Sequence, residues 1–121
     1  MLRRAMTIGA VLLTLNAVAA QEDAVRVMSF NIRYDNPADG PNAWPHRKDW
    51  VSEIVEANAD VVGMQEVVKN QLDDLRTRLT GFEFHGVGRD DGKEAGEFVP
   101  IGWRTERFAA VEKGALLVEL E

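Results

Sequence analysis

Two polar side chains follow short apolar segments, and their chemistry is suited to binding a metal ion or a phosphate group. Asn31 ends the segment that begins at Val27, and Glu66 follows the apolar segment 60–65. Strands that end in this way deliver their last side chains to one rim of a sheet, so we expect the amide and the carboxylate to lie near each other. Proteins typically hold Mg²⁺ through one or two carboxylates together with water and substrate phosphate. The residue types alone leave two simpler alternatives open, a surface glutamate and an asparagine that favours the following turn.

The spacing of apolar residues predicts the elements that position these two side chains. Strands are expected over 24–33 and 60–65, because both segments are rich in strand-forming residues. Helices are expected over 45–58 and 70–79, where apolar residues recur at intervals of three and four. The order strand, helix, strand, helix favours a β-α-β layer.

The second half of the chain has a different pattern. Strands are predicted over 82–87 and 97–104, separated by the polar, glycine-bearing turn 89–96. One or two more strands are predicted within 107–120, so this half is interpreted as the beginning of a meander. The fold class is therefore α/β or α+β, and the apolar terminal strand within 115–120 is expected to need a partner strand, from this chain or from a partner chain.

The amino terminus is typical of a secretory signal peptide. Two arginines precede the apolar segment 8–15, and small residues then offer a cleavage position. We therefore predict a signal peptide over 1–20 and one domain over 21–121, with a secreted or periplasmic location and no membrane association after cleavage. An uncleaved anchor or a buried helix is the alternative interpretation.

Composition limits the classes of partner. The formal net charge of the chain is −6, and it becomes −8 when Arg3 and Arg4 are removed with the signal peptide. Affinity for duplex DNA normally depends on Lys and Arg side chains that neutralise phosphates, so nucleic acid is possible but not favoured. The chain has no cysteine, so the fold is not stabilised by disulfide bonds.

Several further segments contain residues with functional potential. Asp90 and Asp91 are adjacent acidic residues in the turn 89–96, but a turn stabilised by aspartate is a more common use of this pattern than a metal site. Arg89 is a further candidate for contact with a phosphate group.

The five segments that carry a resemblance to a known family are Ser29-Phe30-Asn31, Trp44-x-x-Arg47, Met64-Gln65-Glu66-Val67, Gly88-Arg89-Asp90-Asp91-Gly92 and Gly96-Glu97.

In this order, the segments resemble the first motifs of the endonuclease/exonuclease/phosphatase superfamily, the deoxyribonuclease I-like phosphoesterases. The resemblance implies the N-terminal half of a four-layer α/β/β/α sandwich, incomplete in this chain. It implies Mg²⁺ bound by Glu66, with Mn²⁺ or Ca²⁺ as alternatives, and Asn31 beside the metal and the scissile phosphate as a metal-binding and catalytic residue. It also implies that Glu97, as a catalytic residue, hydrogen-bonds the catalytic histidine of the family and fixes its tautomer.

The chain also departs from the family pattern. The Asp-x-Asn and Ser-Asp-His motifs do not occur in the 121 residues, and neither His46 nor His85 is at the position of the catalytic histidine. The resemblance therefore predicts a secreted Mg²⁺-dependent phosphoesterase, for phosphodiesters or phosphomonoesters, that is truncated and inactive alone. The alternatives are a non-catalytic secreted module and a split half that completes its fold with a partner chain. The acidic charge favours small phosphoesters, sugar or lipid head groups over DNA as the substrate.

Overall fold

The computed structural model describes residues 24–115, which form one four-stranded sheet and two helices. The strands and helices are β1 (Val27–Asn31), α1 (Trp44–Asn58), β2 (Val61–Gln65), α2 (Lys69–Arg78), β3 (Phe82–His85) and β4 (Ile101–Arg104). A short 3-10 segment, Pro37–Asn42, lies between β1 and α1. The predicted order of strand, helix, strand and helix is confirmed in the first half of the chain.

The strand order of the sheet is β1-β2-β4-β3. β1 and β2 are parallel, which confirms the predicted β-α-β unit, whereas β4 pairs antiparallel with both β2 and β3. The predicted beginning of a meander is confirmed, because the consecutive strands β3 and β4 pair antiparallel, and β4 also lies beside β2. Gly102 and Trp103 of the central strand β4 are buried. Glu83 of β3 is exposed, and a charged residue is suited to a strand at the edge of a sheet.

The last predicted strands differ from the structure. The segment 107–115 contains no strand, and the predicted strand over 97–104 is confined to β4 and a bridge at Phe98. The sequence Glu112-Lys113-Gly114 interrupts the alternation of apolar and polar residues that a strand requires. Instead, this segment covers part of the sheet, with the Lys113 ammonium 5.0 Å from the centre of the Trp103 ring.

Both helices pack on one face of the sheet. The buried apolar side chains of this layer come mainly from both helices, β2 and β3, among them Val51, Val55, Val62, Met64, Leu72, Leu75, Phe82 and Phe84. The opposite face is more exposed, since Val27 and Ile101 retain 75% and 54% of their accessible surface. Among the described residues, β2 is therefore fully covered on one face only.

A buried carboxylate connects the two ends of the described chain. The Asp60 side chain is 2% exposed and accepts hydrogen bonds from Arg26, through Nε at 3.3 Å and Nη2 at 3.0 Å. The backbone N–H of Arg26 also donates to Asp60 at 2.8 Å, as does Nη1 of Arg107. Nε of Arg104 lies 3.5 Å from the carboxylate. Three arginines from the start and end of the domain thus meet at one acidic residue.

This cluster predicts a loss of stability in acid. The hydrogen bonds from Arg26 and the charge of Arg107 hold the pKa of Asp60 well below its usual range. Such a carboxylate stabilises the folded state at pH values above its pKa in the unfolded chain, about 3.9, and this contribution disappears as the pH falls through the lower folded-state pKa. We expect the urea midpoint to fall steadily between about pH 5 and pH 2, and to fall less steeply in Asp60→Asn. If the urea midpoints of wild type and Asp60→Asn fell equally steeply with pH, ionised Asp60 would not be the source of the acid sensitivity.

Two sequence predictions lie outside the described residues, namely the signal peptide over 1–20 and all but the first residue of the terminal apolar strand predicted within 115–120. Within residues 24–115, no helix is long and apolar enough to cross a membrane.

Candidate active site

The carboxyl ends of β1 and β2 bring together the amide and the carboxylate identified in the sequence. Because the strands are parallel, with Asn31 opposite Gln65, the residue after Gln65 lies next to Asn31. The Asn31 side-chain Nδ2 donates to Oε1 of Glu66 at 2.9 Å. The backbone N–H of Tyr34 donates to Oε2 of the same carboxylate at 3.4 Å. Both oxygens of Glu66 are therefore oriented by neighbouring groups.

These contacts favour an ionised Glu66. The hydrogen bond from Asn31, the hydrogen bond from the Tyr34 backbone and the charge of Arg33 lower the pKa of the carboxyl group below its ordinary value. A carboxylate of this kind keeps lone pairs available for a further ligand, because each oxygen has more than one acceptor position. Glu66 is half-buried at the sheet rim, so a ligand can reach it from solvent.

The backbone on both sides of this contact is unusual. Arg33 and Glu66 have φ values of 60° and 57°, and they are the non-glycine residues with positive φ in the described chain. Bulky residues seldom adopt this left-handed conformation, which costs on the order of 1–3 kcal/mol and occurs frequently at functional sites. In this geometry the N–H of Arg33 donates to Oδ1 of Asn31 at 2.9 Å, which fixes the amide that holds Glu66.

The donor set fits a magnesium ion that retains most of its water. Glu66 supplies one hard carboxylate, which is within the number that Mg²⁺ uses when substrate phosphate and water complete its coordination. Among the described residues, no group of three or more His, Asp and Glu side chains could hold a metal ion. In the part of the chain that the structure describes, the rim thus offers one carboxylate, Glu66, to a cation.

Glu97 lies close in the fold but has a different partner. Phe98, the next residue, bridges with Val67, so the chain around Glu97 runs beside the residue that follows Glu66. The Glu97 carboxylate accepts a hydrogen bond from Arg89 at 2.9 Å, and both side chains line a cavity of about 270 Å³ together with His85. The structure thus brings Asn31 and Glu66 into contact, whereas Glu97 pairs with Arg89.

The remaining residues of the predicted motifs have structural contacts. The Trp44 indole donates to Asp74 at 2.9 Å, and Arg47 donates to the backbone oxygen of Ile32 at 2.7 Å. Asp91 accepts hydrogen bonds from backbone N–H groups within its own turn, as expected of a turn residue. The contact of Trp44 connects α1 to α2, and the contact of Arg47 connects α1 to the residue after β1.

The sequence analysis did not identify Arg33 and Asp39 as residues that form a pair beside the candidate site. The Arg33 guanidinium donates to both oxygens of Asp39 at 3.0 Å and lies 4.6 Å from the centre of the Tyr34 ring. The sequence offered one signal, since a positive and a negative residue follow closely after Asn31. The left-handed backbone that aims the guanidinium was not visible in it.

Comparison with solved structures places this arrangement among known folds. An endonuclease/exonuclease/phosphatase from Bacteroides vulgatus is 52% identical to this chain, with a TM-score of 0.66, and the match covers 68% of this chain and 32% of that protein. An endonuclease/exonuclease/phosphatase family protein from Bacteroides thetaiotaomicron is 39% identical, with a TM-score of 0.71. The match covers 74% of this chain and 34% of that protein. A mannosyl-6-phosphatase from the same species is 38% identical, with a TM-score of 0.72. The match covers 75% of this chain and 35% of that protein.

The chain spans about a third of the length of the solved structures that it matches. No protein-family model matches it, and no significant match was found among curated proteins. The mixed sheet, its two helices and the three neighbours confirm the resemblance of this chain to the endonuclease/exonuclease/phosphatase superfamily, of whose fold the described residues form a part.

Proposed function

We propose that this chain contributes the metal-binding side of a secreted or periplasmic Mg²⁺-dependent phosphoesterase. The observation that carries the proposal is the contact geometry of Glu66, whose carboxylate accepts hydrogen bonds from Asn31 and the Tyr34 backbone at the shared rim of two parallel strands. The names of the similar structures, which include a phosphatase, support a phosphoester as the substrate. The secretory pattern of residues 1–20 is the basis for the proposed location.

Each residue of the site has a defined task in this proposal. Glu66 would hold Mg²⁺, or Mn²⁺ or Ca²⁺ in its place, through the lone pairs that its present hydrogen bonds leave available. A bound divalent ion supplies Lewis-acid polarisation of the phosphoryl group. Asn31 orients the carboxylate, and its amide would donate to a phosphate oxygen of the substrate. In its present orientation, Asn31 directs nitrogen and not oxygen toward Glu66, so direct metal ligation by Asn31 requires rotation of the amide.

The 121 residues alone are expected to have negligible hydrolytic activity. In the proposal Glu97 orients a general-base histidine, yet the chain contains only His46 and His85. His46 lies in the first turn of α1, and Nε2 of His85 lies 3.3 Å from the backbone oxygen of Gly114. Loss of a general base typically lowers the rate by 10²–10⁴-fold. Hydrolysis of an activated phosphodiester with Mg²⁺ by the purified chain, but not by Glu66→Ala, would overturn this expectation.

Metal binding is the direct test of the proposal. We expect Mn²⁺, monitored by electron paramagnetic resonance, to bind the wild-type chain and to be displaced by Mg²⁺. Glu66→Gln should weaken Mn²⁺ binding by at least about 10-fold, because an amide lacks the charge of the carboxylate ligand. Glu83→Gln is the matched control, since Glu83 is an exposed carboxylate of the same sheet. Equal affinities of wild type and Glu66→Gln would reject Glu66 as the ligand.

The exposed sheet face favours a second candidate function. Val27, Val99 and Ile101 retain 75%, 68% and 54% of their accessible surface, and such a face is suited to another protein layer. The chain would then be a split half that completes its sheet with a partner chain, or a non-catalytic secreted module. A clean monomer in size-exclusion chromatography would count against the split half. Absence of metal binding together with cooperative unfolding would favour the module.

A further inference from the structure

Gln71 is a fully buried polar side chain, and both ends of its amide form hydrogen bonds. It lies in the first turn of α2 and is 0% exposed. Its Oε1 accepts a hydrogen bond from the backbone N–H of Val68 at 3.1 Å, and its Nε2 donates to the backbone oxygen of Arg33 at 2.9 Å. A buried amide is costly unless it is hydrogen-bonded, so these two bonds fix its orientation. Gln71 thus links the segment after β2 to the segment after β1.

This link reaches both residues with left-handed backbone. Arg33, whose oxygen Gln71 holds, has a φ of 60°, and Val68 follows two positions after Glu66, whose φ is 57°. Residues of this size keep such a conformation only where the surrounding structure imposes it. The two hydrogen bonds of Gln71 supply part of that restraint, on both sides of the contact between Asn31 and Glu66.

The bond to Arg33 also sets the direction of an N–H group at the site. The oxygen of Arg33 and the N–H of Tyr34 belong to one peptide unit, which is planar and trans. Because the oxygen points toward Gln71 in the interior, the N–H points the opposite way, and it donates to Oε2 of Glu66 at 3.4 Å. The hydrogen bond from Gln71 therefore directs the Tyr34 N–H toward the carboxylate.

The preceding peptide unit is held in the same manner by another side chain. Nη1 of Arg47 donates to the oxygen of Ile32 at 2.7 Å, and the N–H of that unit, on Arg33, donates to Oδ1 of Asn31 at 2.9 Å. Nη2 of Arg47 also donates to the Arg33 oxygen, at the longer distance of 3.3 Å. Arg47 thus restrains the amide of Asn31, whereas the N–H that faces the carboxylate depends mainly on Gln71.

We propose that Gln71 is a positioning residue of the candidate site, which holds the Arg33–Tyr34 peptide unit so that its N–H orients the Glu66 carboxylate. The inference rests on the proposed function only for the ligand of that carboxylate, a divalent cation. Groups that hydrogen-bond a metal-binding carboxylate contribute to metal affinity without touching the metal. Gln71 acts one step further away, through the peptide unit.

A double-mutant cycle followed by nuclear magnetic resonance tests the link in the metal-free full chain. In the wild-type background, Glu66→Gln should shift the Tyr34 amide proton, because a neutral acceptor replaces a charged one. Gln71→Met keeps the approximate volume of the side chain and removes both of its hydrogen bonds. In that background, we expect Glu66→Gln to shift the same proton by at most about half as much. A shift of full size in the Gln71→Met background overturns the inference.

Metal affinity gives the second readout. We expect Gln71→Met to weaken Mn²⁺ binding, measured by electron paramagnetic resonance, by about 10-fold. Unchanged affinity in this variant, while Glu66→Gln weakens binding, would also overturn the inference. If wild type binds no Mn²⁺ and the Tyr34 shift still depends on Gln71, the proposed function alone is rejected.

Two controls separate positioning from a general loss of stability. Ser52 is another buried polar side chain, which donates to the oxygen of Lys48 within α1 at 2.8 Å, so Ser52→Ala should keep both readouts. Asp60→Asn should lower the melting temperature and also keep both readouts, since Asp60 precedes β2 and Glu66 follows its other end. If Asp60→Asn changed both readouts as much as Gln71→Met, the effect would be one of stability, and the positioning role would be rejected.

A second variant keeps the test valid if Gln71→Met does not fold. In Gln71→Glu, the carboxylate still accepts from the N–H of Val68, and glutamate is a favoured residue at this position of a helix. An ionised carboxylate has no N–H to donate to Arg33. We expect Gln71→Glu to reduce the Tyr34 shift and the Mn²⁺ affinity in the same direction as Gln71→Met, and wild-type values of both would overturn the inference.

Discussion

An Asp60→Asn variant is expected to melt at least about 10 °C below the wild-type chain. The carboxylate is 2% exposed and accepts hydrogen bonds from Arg26 and Arg107. Asparagine has nearly the same shape, but it replaces an acceptor oxygen by a donor and removes the negative charge. The arginines would then face each other around a neutral residue, and removing one partner of a buried ion pair is strongly destabilising. Thermal unfolding followed by circular dichroism measures the change.

The matched control for this variant is Asp49→Asn. Asp49 also pairs with an arginine, Arg78, at 2.6 Å, but its side chain is 76% exposed. Exposed ion pairs contribute little to stability, so we expect the melting temperature of this control to stay within about 2–3 °C of wild type. A similar small change in Asp60→Asn would show that the buried cluster does not stabilise the fold.

A Gly102→Ala variant is expected to lose about 1–3 kcal/mol of unfolding free energy. Gly102 lies in the middle of β4, directly opposite Phe84 of β3. A Cβ atom at this position would lie 2.5 Å from a carbon of the Phe84 ring. Since Phe84 is itself buried in the core, the ring can move away only by displacing other packed side chains. Urea unfolding at neutral pH measures the loss.

Gly63→Ala provides the comparison within the same sheet. Gly63 lies in the neighbouring strand β2, and a Cβ atom there meets nothing within 4 Å. Alanine also reduces the conformational freedom of the unfolded chain, so we expect stability to be unchanged or raised by up to about 1 kcal/mol. If the two alanine variants were equally stable, crowding by Phe84 would not be the reason for glycine at position 102.

The first half of the fold could be predicted from the sequence because its signals are local. Strand-forming composition identified β1 and β2, three-to-four spacing identified α1 and α2, and parallel pairing then placed Asn31 beside Glu66. The position of β4 between β2 and β3 could not be obtained in this way, because strand pairing depends on packing against distant neighbours. Of the strands predicted within 107–120, none lies in the described part 107–115, where Lys113 instead contacts the Trp103 ring.

The site was predicted only in part for a different physical reason. Residue types identified the amide and the carboxylate, but φ at Arg33 and Glu66 is imposed by the surrounding fold against their own preference. The Arg33–Asp39 pair depends on that backbone and was therefore not visible. For Glu97 the motif was recognised in the sequence, but its hydrogen-bond partner was not. In the structure that partner is Arg89.

The cluster around Asp60 also has a consequence for the order of events during synthesis. Arg26 leaves the ribosome before Asp60, whereas Arg104 and Arg107 follow it, the latter by 47 positions. At a synthesis rate of roughly 5–20 residues per second, Arg107 is added several seconds after Asp60. We therefore expect a nascent chain that ends before Arg104 to remain sensitive to protease around β2, and protection to arise only after Arg107 has emerged.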